Sequence, residues 1–275
     1  MRHQWLAGMT VAALLVTGCA QEKTPSSAGG PRCDKSGPPL YAPGTLTVAT
    51  DDPVFPPWFQ GSSKHYSGFE GDLATAIARD LGLPIKWVVE PFNKSYAPGQ
   101  KDYDFDINEI SITPERDRAV DFSDGYFHSN QAVLALEGEP ITRAKSLADL
   151  AKFQLGTQVG TTSLKFINEK VRPDMQAKVF DTTSDATTAL QNGAIDGLMT
   201  DVPTTVYLRD FVVKGSVVLG QYPTNEQFGM LFEEGNPLVE CINDSLAKLE
   251  SKGTLERLQN KWLQNYLRVP TLSDS

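Results

Sequence analysis

From Thr45 onward the apolar positions keep two different periods in turn. Leu46-Thr47-Val48 alternates apolar and polar residues, which predicts a short strand running into Asp51. Leu73, Ile77 and Leu81 then recur at i, i+4 and i+8, which predicts a helix over Asp72 to Leu81, stopped by Gly82 and Pro84. Ile85, Trp87 and Val89 alternate again, and Phe105 and Ile107 mark a further strand. This βαβ rhythm predicts an α/β fold with a mostly parallel sheet and helices on its faces.

The rhythm then restarts. Gln131 to Leu136 reads as a strand, and Gln154 to Thr157 begins another. Ser163 is placed to cap a helix carrying Leu164, Ile167 and Val171 on one face. Ser184 is placed to cap a second helix, which ends at Gly193, and Gly197 to Thr200 forms a strand leading into Asp201. Two α/β sets in about 180 residues predict two lobes. The last third adds a strand around Phe228 to Phe232 and two helices, with stripes Leu238-Ile242-Leu246-Leu249 and Leu255-Leu258-Trp262 that belong to a core. In open α/β sheets ligands bind beyond the carboxyl ends of strands, which singles out Asp51, Asn108 to Arg116, Gly160 to Ser163, and Asp201.

The first eighteen residues stand outside this pattern. Arg2 and His3 precede an apolar run from Trp5 to Val16, too short to span a bilayer and typical of a secretory signal. Val16-Thr17-Gly18-Cys19 resembles a bacterial lipobox, which implies lipidation (palmitate among the acyl groups) at Cys19 and an anchor on the extracytoplasmic face of the cell membrane. The alternative is an ordinary signal cleaved nearby with an incidental cysteine. Residues 19–44 then read as a lipidated tether, rich in Ser, Gly and Pro. In an oxidising compartment the two remaining cysteines, Cys33 and Cys241, are expected to form a disulfide, with two buried thiols as the alternative. A hydrophobic share of 40% and a charged share of 21% fit an ordered globular body. The net charge of -9 argues against nucleic acid as a partner. Three scattered histidines and no closely spaced cysteine pair predict no metal and no cofactor.

Five segments carry a resemblance to a known family. They are Thr50-Asp51, Gly68-Phe69-Glu70-Gly71-Asp72-Leu73-Ala74, Ser111-Ile112-Thr113-Pro114-Glu115-Arg116, Val120-Asp121-Phe122-Ser123-Asp124-Gly125-Tyr126, and Asn192-Gly193-Ala194-Ile195-Asp196-Gly197 with Asp201. Together, and in this order, they resemble the polar amino-acid solute-binding proteins of ABC importers, bacterial extracellular solute-binding family 3. The resemblance implies a two-lobe, type II periplasmic-binding-protein-like fold with two crossing hinge strands, near Tyr126 to Asn130 and Asn225 to Gly229. Lobe 1 would then comprise residues 45–128 and 226–275, and lobe 2 residues 129–225. It further implies a monomer without enzymatic activity, whose partners are a free amino acid and the ABC permease subunits in the membrane.

The ligand of such a protein is a zwitterion, and the resemblance assigns its contacts. Arg116 stands where the family places a fork for the ligand carboxylate. Read by itself, Arg116 is equally suited to a surface ion pair with Glu115 or Asp117. Thr161 and Thr162, between a strand and a helix, offer backbone N–H groups to the same anion. Asp201 is placed for the ammonium, or else serves as a helix N-cap ahead of Pro203. Ser111 adds a hydroxyl. Asp51 and Phe92 fall at the side-chain end of the ligand. Val54 stands where many members carry an aromatic lid; Trp58 is a substitute or a core residue. Asn108-Glu109 departs furthest from the family, which usually has small residues there. Glu109 beside Asp51 would make the pocket acidic and favour a cationic side chain, unless it points away. Two rivals share the fold: a cyclohexadienyl-dehydratase-like enzyme using Glu109 as its acid, and a ligand-sensing module.

Overall fold

The computed structural model describes residues 39–266 and 268–274. Cys19, Cys33, the signal segment and most of the tether lie outside the described residues.

The first set of elements runs β1 (Leu46–Thr50), a small hairpin β2 (Gln60–Ser62) and β3 (His65–Ser67), α1 (Phe69–Asp80), β4 (Ile85–Val89), α2 (Phe92–Ser95), β5 (Phe105–Asp106) and β6 (Asp121–Phe122). The second set runs β7 (Phe127–Leu136), α3 (Leu147–Leu150), β8 (Leu155–Gln158), α4 (Thr162–Phe166), β9 (Lys178–Phe180), α5 (Thr183–Gln191), β10 (Gly197–Asp201), α6 (Val202–Tyr207) and β11 (Ser216–Phe228). The chain then returns with β12 (Leu231–Phe232), α7 (Leu238–Ser251) and α8 (Thr254–Trp262). One sheet has the order β4-β1-β5-β12-β6 and the other β11-β7-β10-β8-β9. The two-lobe type II fold is therefore present.

Both sheets are mixed rather than mostly parallel. β1 is parallel to β4 and β5, and β8 to β9 and β10. β12 and β7 run antiparallel to their neighbours. All five residues of β1 are buried, as expected of an inner strand covered on both faces. The crossings are β7 and β11 themselves, paired antiparallel through Phe127↔Phe228, His128↔Gln227 and Ser129↔Glu226.

Several boundaries move. α1 begins at Phe69 rather than Asp72, because the turn before it depends on Gly68, at φ 109. A Cβ on Gly68 would lie 2.2 Å from the Trp58 carbonyl oxygen, so the apolar period alone did not reveal the start. The caps of α4 and α5 are Thr161 and Thr182, whose hydroxyls accept from Leu164 N–H and Asp185 N–H; Ser163 and Ser184 lie inside the helices. The expected strand around Phe228 to Phe232 divides between β11 and β12, in different sheets.

The boundary of lobe 1 at residue 275 also needs correction. After α8 the chain crosses again: Gln221 N–H donates to Pro270 O at 2.7 Å, Leu272 N–H to Gln221 O at 2.8 Å, and Leu147 N–H to Ser273 O at 3.1 Å. Leu272 is buried in one apolar cluster of the second lobe, and Tyr266 and Val269 pack against the other. Its leucine finds an apolar slot there over Gly220, which a solvent-facing tail would lack.

Trp58 is a core residue. Its ring packs against Phe69, Phe127 and Phe228 at centroid distances of 5.9, 5.1 and 5.5 Å, beneath the crossing strands. Cys241 is buried on the inner face of α7. Among the described residues, no helix is long and apolar enough to cross a membrane.

Candidate ligand-binding cleft

The carboxyl ends of β1, β5, β8 and β10 converge on one cleft. Its lining includes Asp51, Phe92, Asn108, Glu109, Ser111, Thr161, Thr162 and Asp201, eight of the nine ligand-binding residues expected from sequence. Val54 lines it, and beside it Phe55 supplies an aromatic ring that sequence reasoning passed over. Thr182, Thr183, Thr200, Thr204, Gln131 and Gln158 add uncharged polar groups to the second-lobe wall, which also carries Asp201.

Arg116 is the ninth, and it lies just behind the lining. It is 8% exposed, on a single 3-10 turn, and forms no ion pair with Glu115 or Asp117. Its Nη1 donates to Ser111 O at 2.8 Å and its Nη2 to Gly160 O at 2.9 Å, so the guanidinium joins the two lobes. It stacks on Phe92 and Tyr96, at 5.4 and 4.8 Å from their centroids. Glu115 pairs instead with Lys165 across the lobes at 2.9 Å. Gly160, at φ +72, leaves room for the Tyr96 hydroxyl, which a Cβ would meet at 1.8 Å.

The opposite end of the cleft is built from acids. Asp201 is both a cleft residue and a cap: its Oδ1 accepts Thr204 N–H at 3.0 Å and its Oδ2 the Thr200 hydroxyl at 3.2 Å. Glu109 adopts a left-handed backbone, φ 54, and its carboxyl turns to Asp201 and Thr204 rather than to Asp51. Thr204 donates to Glu109 Oε2 at 3.1 Å and accepts Trp58 Nε1–H at 3.0 Å. Burial, and then the charge of Asp201, push the Glu109 carboxyl well above the usual range; burial also raises Asp201. Two carboxyls in contact cannot both ionise cheaply, so Glu109 holds a proton and donates it to Asp201.

Beneath this pair lies Glu70, a residue the sequence motif contained but gave no reason to single out. It is fully buried, accepts Glu109 N–H at 2.8 Å and the Tyr126 hydroxyl, and burial pushes its carboxyl up to about 8. Glu70 thereby fixes the unusual backbone of Glu109. Asp51 stands apart at the end of β1, half-buried, accepting Asp52 N–H at 2.7 Å and Phe92 N–H at 3.3 Å. Burial raises its carboxyl as well.

Two lobes, two crossing strands and a polar cleft at the strand ends agree with a match over residues 46–265 to the bacterial extracellular solute-binding proteins, family 3. The chain belongs to this family. Among family relatives, the glutamine-binding protein of a Bacillus subtilis ABC transporter is 34% identical over 212 residues, covering 74% of this chain and 75% of that protein. Two solved structures of an ancestral arginine-binding protein are 33% identical and cover 80% of this chain and 98% of theirs. The one bound to glutamine superposes with a TM-score of 0.72, and the one bound to arginine with 0.71. An ancestral amino acid-binding protein described as a precursor of cyclohexadienyl dehydratase is 30% identical, with a TM-score of 0.69 over 80% of this chain and 96% of that one. A solute-binding role in amino-acid transport follows from the family and these relatives.

Proposed function

We propose that this chain is the extracytoplasmic binding subunit of an amino-acid ABC importer and that its ligand is a free amino acid with a cationic side chain. One observation carries the choice of ligand: Asp51, Glu109 and Asp201 line the cleft, and no Lys or Arg is among the lining residues. A cationic amino acid brings two positive charges and one negative charge to that wall. Its α-ammonium meets Asp201, with Glu109 beside it, and its side-chain cation meets Asp51. Its carboxylate meets the backbone N–H groups of Thr161 and Thr162, with the Arg116 charge behind. An acidic side chain would face Asp51 unpaired and be rejected. Binding with lobe closure is enough for this function, and no bond is made or broken.

The remaining parts of the reading are anchoring and assembly. Cys19 carries the lipid, the protein acts as a monomer, and the permease recognises the closed form. A Cys33–Cys241 disulfide joins the tether to α7, supported by the buried position of Cys241 on that helix.

Titration calorimetry of the protein from Gln21 onward against the common amino acids tests the ligand. Arginine, lysine or ornithine should bind at least tenfold more tightly than glutamine, roughly 1.4 kcal/mol. A preference for glutamine would overturn the cationic assignment and keep the transport role. A second reading, dehydration of a cyclohexadienyl amino acid with Glu109 as general acid, draws on its protonated carboxyl in the cleft. Absence of product after prolonged incubation with that substrate would sink it.

A further inference from the structure

The hydroxyls of Ser111 and Thr162 face each other across the cleft, 3.4 Å apart, and neither is left for a ligand alone. Both donate to one oxygen: Glu226 Oε2 accepts Ser111 Oγ at 2.7 Å and Thr162 Oγ1 at 2.6 Å. The other oxygen, Oε1, accepts Gln131 Nε2–H at 3.0 Å, and Gln131 in turn accepts the Ser163 hydroxyl at 2.6 Å. Ser111 belongs to the first lobe, between β5 and β6; Gln131, Thr162 and Ser163 belong to the second. Glu226 belongs to β11, one of the two crossings, where it pairs with Ser129 of the other.

The chain aims this carboxylate with a local device. Between Tyr222 and Glu226 the pairing of β11 with β7 shifts register, and Asn225 adopts a left-handed conformation, φ 53. Such an irregularity turns the following side chain away from the regular ladder. Glu226 then shares a strand face with Phe228, which lines the cleft. The nearby Arg116 charge attracts the carboxylate.

We propose that Glu226 is a positioning residue for ligand capture: a hinge-borne carboxylate that clasps Ser111 of one lobe to Thr162 and Gln131 of the other in the closed form. The proposal rests on the reading of the chain as a binding protein that closes on its ligand. A group on a crossing strand moves least when the lobes part, so it can keep one lobe's donor while releasing the other's. Opening then breaks charge-assisted hydrogen bonds whose donors return to water. The contact therefore acts on escape from the closed form and not on first encounter.

The test uses Glu226→Ala and Glu226→Gln in the otherwise intact protein, with arginine and glutamine as probes and stopped-flow tryptophan fluorescence as the readout. In Glu226→Ala the dissociation rate should rise about tenfold while the association rate stays within about twofold, the size expected for losing hydrogen bonds to a charged acceptor. Glu226→Gln keeps an acceptor oxygen for the two hydroxyls and should recover part of the loss. A role in folding alone would lower the melting temperature without separating the two rates. The effect of Glu226→Ala should also shrink in a Thr162→Val background, since the clasp is already broken there. An unchanged dissociation rate, or equal effects in both backgrounds, overturns the proposal. Scattering at saturating arginine supplies a second readout: Glu226→Ala should show a larger radius of gyration than wild type. An unchanged radius overturns the clasp, whereas failure of wild type to bind any probe overturns the binding-protein reading alone.

Discussion

Replacing Asp201 by Asn separates the two tasks this side chain performs. Asn keeps an oxygen that can accept Thr204 N–H, so the cap of α6 survives; Ala would lose it at a cost of about 1 kcal/mol. What Asn removes is the charge opposite the ligand ammonium, in a site where Asp201 is only 7% exposed. Truncating one partner of a buried charge pair costs roughly 2–5 kcal/mol. Glu109 stands in contact with Asp201, whose charge is, after burial, the next cause of its raised carboxyl; when that charge goes, Glu109 takes over part of the task. The loss should therefore fall near 2–3 kcal/mol, about 30- to 150-fold in affinity for arginine. Calorimetry at neutral pH measures the affinity, and a thermal melt of the free protein confirms that stability is unchanged. Adding Glu109→Gln should deepen the loss beyond the product of the two single effects, because each acid covers for the other. Binding of Asp201→Asn within about threefold of wild type would refute the placement of the ammonium.

Three further outcomes follow from other parts of the molecule. Glu70 holds its proton more tightly folded than unfolded, at about 8 against 4.5, so the stability it contributes is lost as pH rises between those values. Melting temperature should fall from pH 5 to pH 8, and Glu70→Gln, which keeps an acceptor for Glu109 N–H and the Tyr126 hydroxyl, should flatten that slope. Gly160→Ala should weaken ligand binding and lower stability by about 1 kcal/mol or more, because its backbone is left-handed and its Cβ meets the Tyr96 hydroxyl; Tyr96→Phe in the same chain should restore part of the affinity. Leu272→Ala should cost about 2–4 kcal/mol in a denaturation experiment while arginine binding persists, since the side chain is buried in the second lobe's core and does not line the cleft.

Much of the architecture was legible because period and punctuation agreed: β1 with Asp51 at its end, α1 with Gly82 after it, and β10 with Asp201 at its end. The strand-end rule singled out Asp51, Asn108, Glu109, Ser111, Thr161, Thr162 and Asp201, all of which line the cleft, whereas Phe92 came from the resemblance. What stayed hidden depended on geometry that no local pattern carries. Glu70 reads as an ordinary acid in the first turn of a helix, and only its burial under Glu109 makes it part of the site. Thr161 and Ser163 are interchangeable as caps in sequence; the turn at Gly160 decides between them. The thirteen-residue β11 contains Pro223 and the shifted register at Tyr222–Glu226, which break the alternation that would have announced it. Glu226 was missed for the same reason.

The position of β12 has a consequence for the order in which the molecule can form during synthesis. In the first sheet, β6 is joined to the rest only through β12, which lies between it and β5. β6 leaves the ribosome more than one hundred positions before its neighbour, at Asp121–Phe122 against Leu231–Phe232. The strands of the second sheet, by contrast, are all available once Phe228 has emerged. The lobe that begins first must wait with an unfilled edge while the later one assembles, and such long-range pairing is slow. The edge of β5 that faces β12 thus finds its partner only near the end of synthesis.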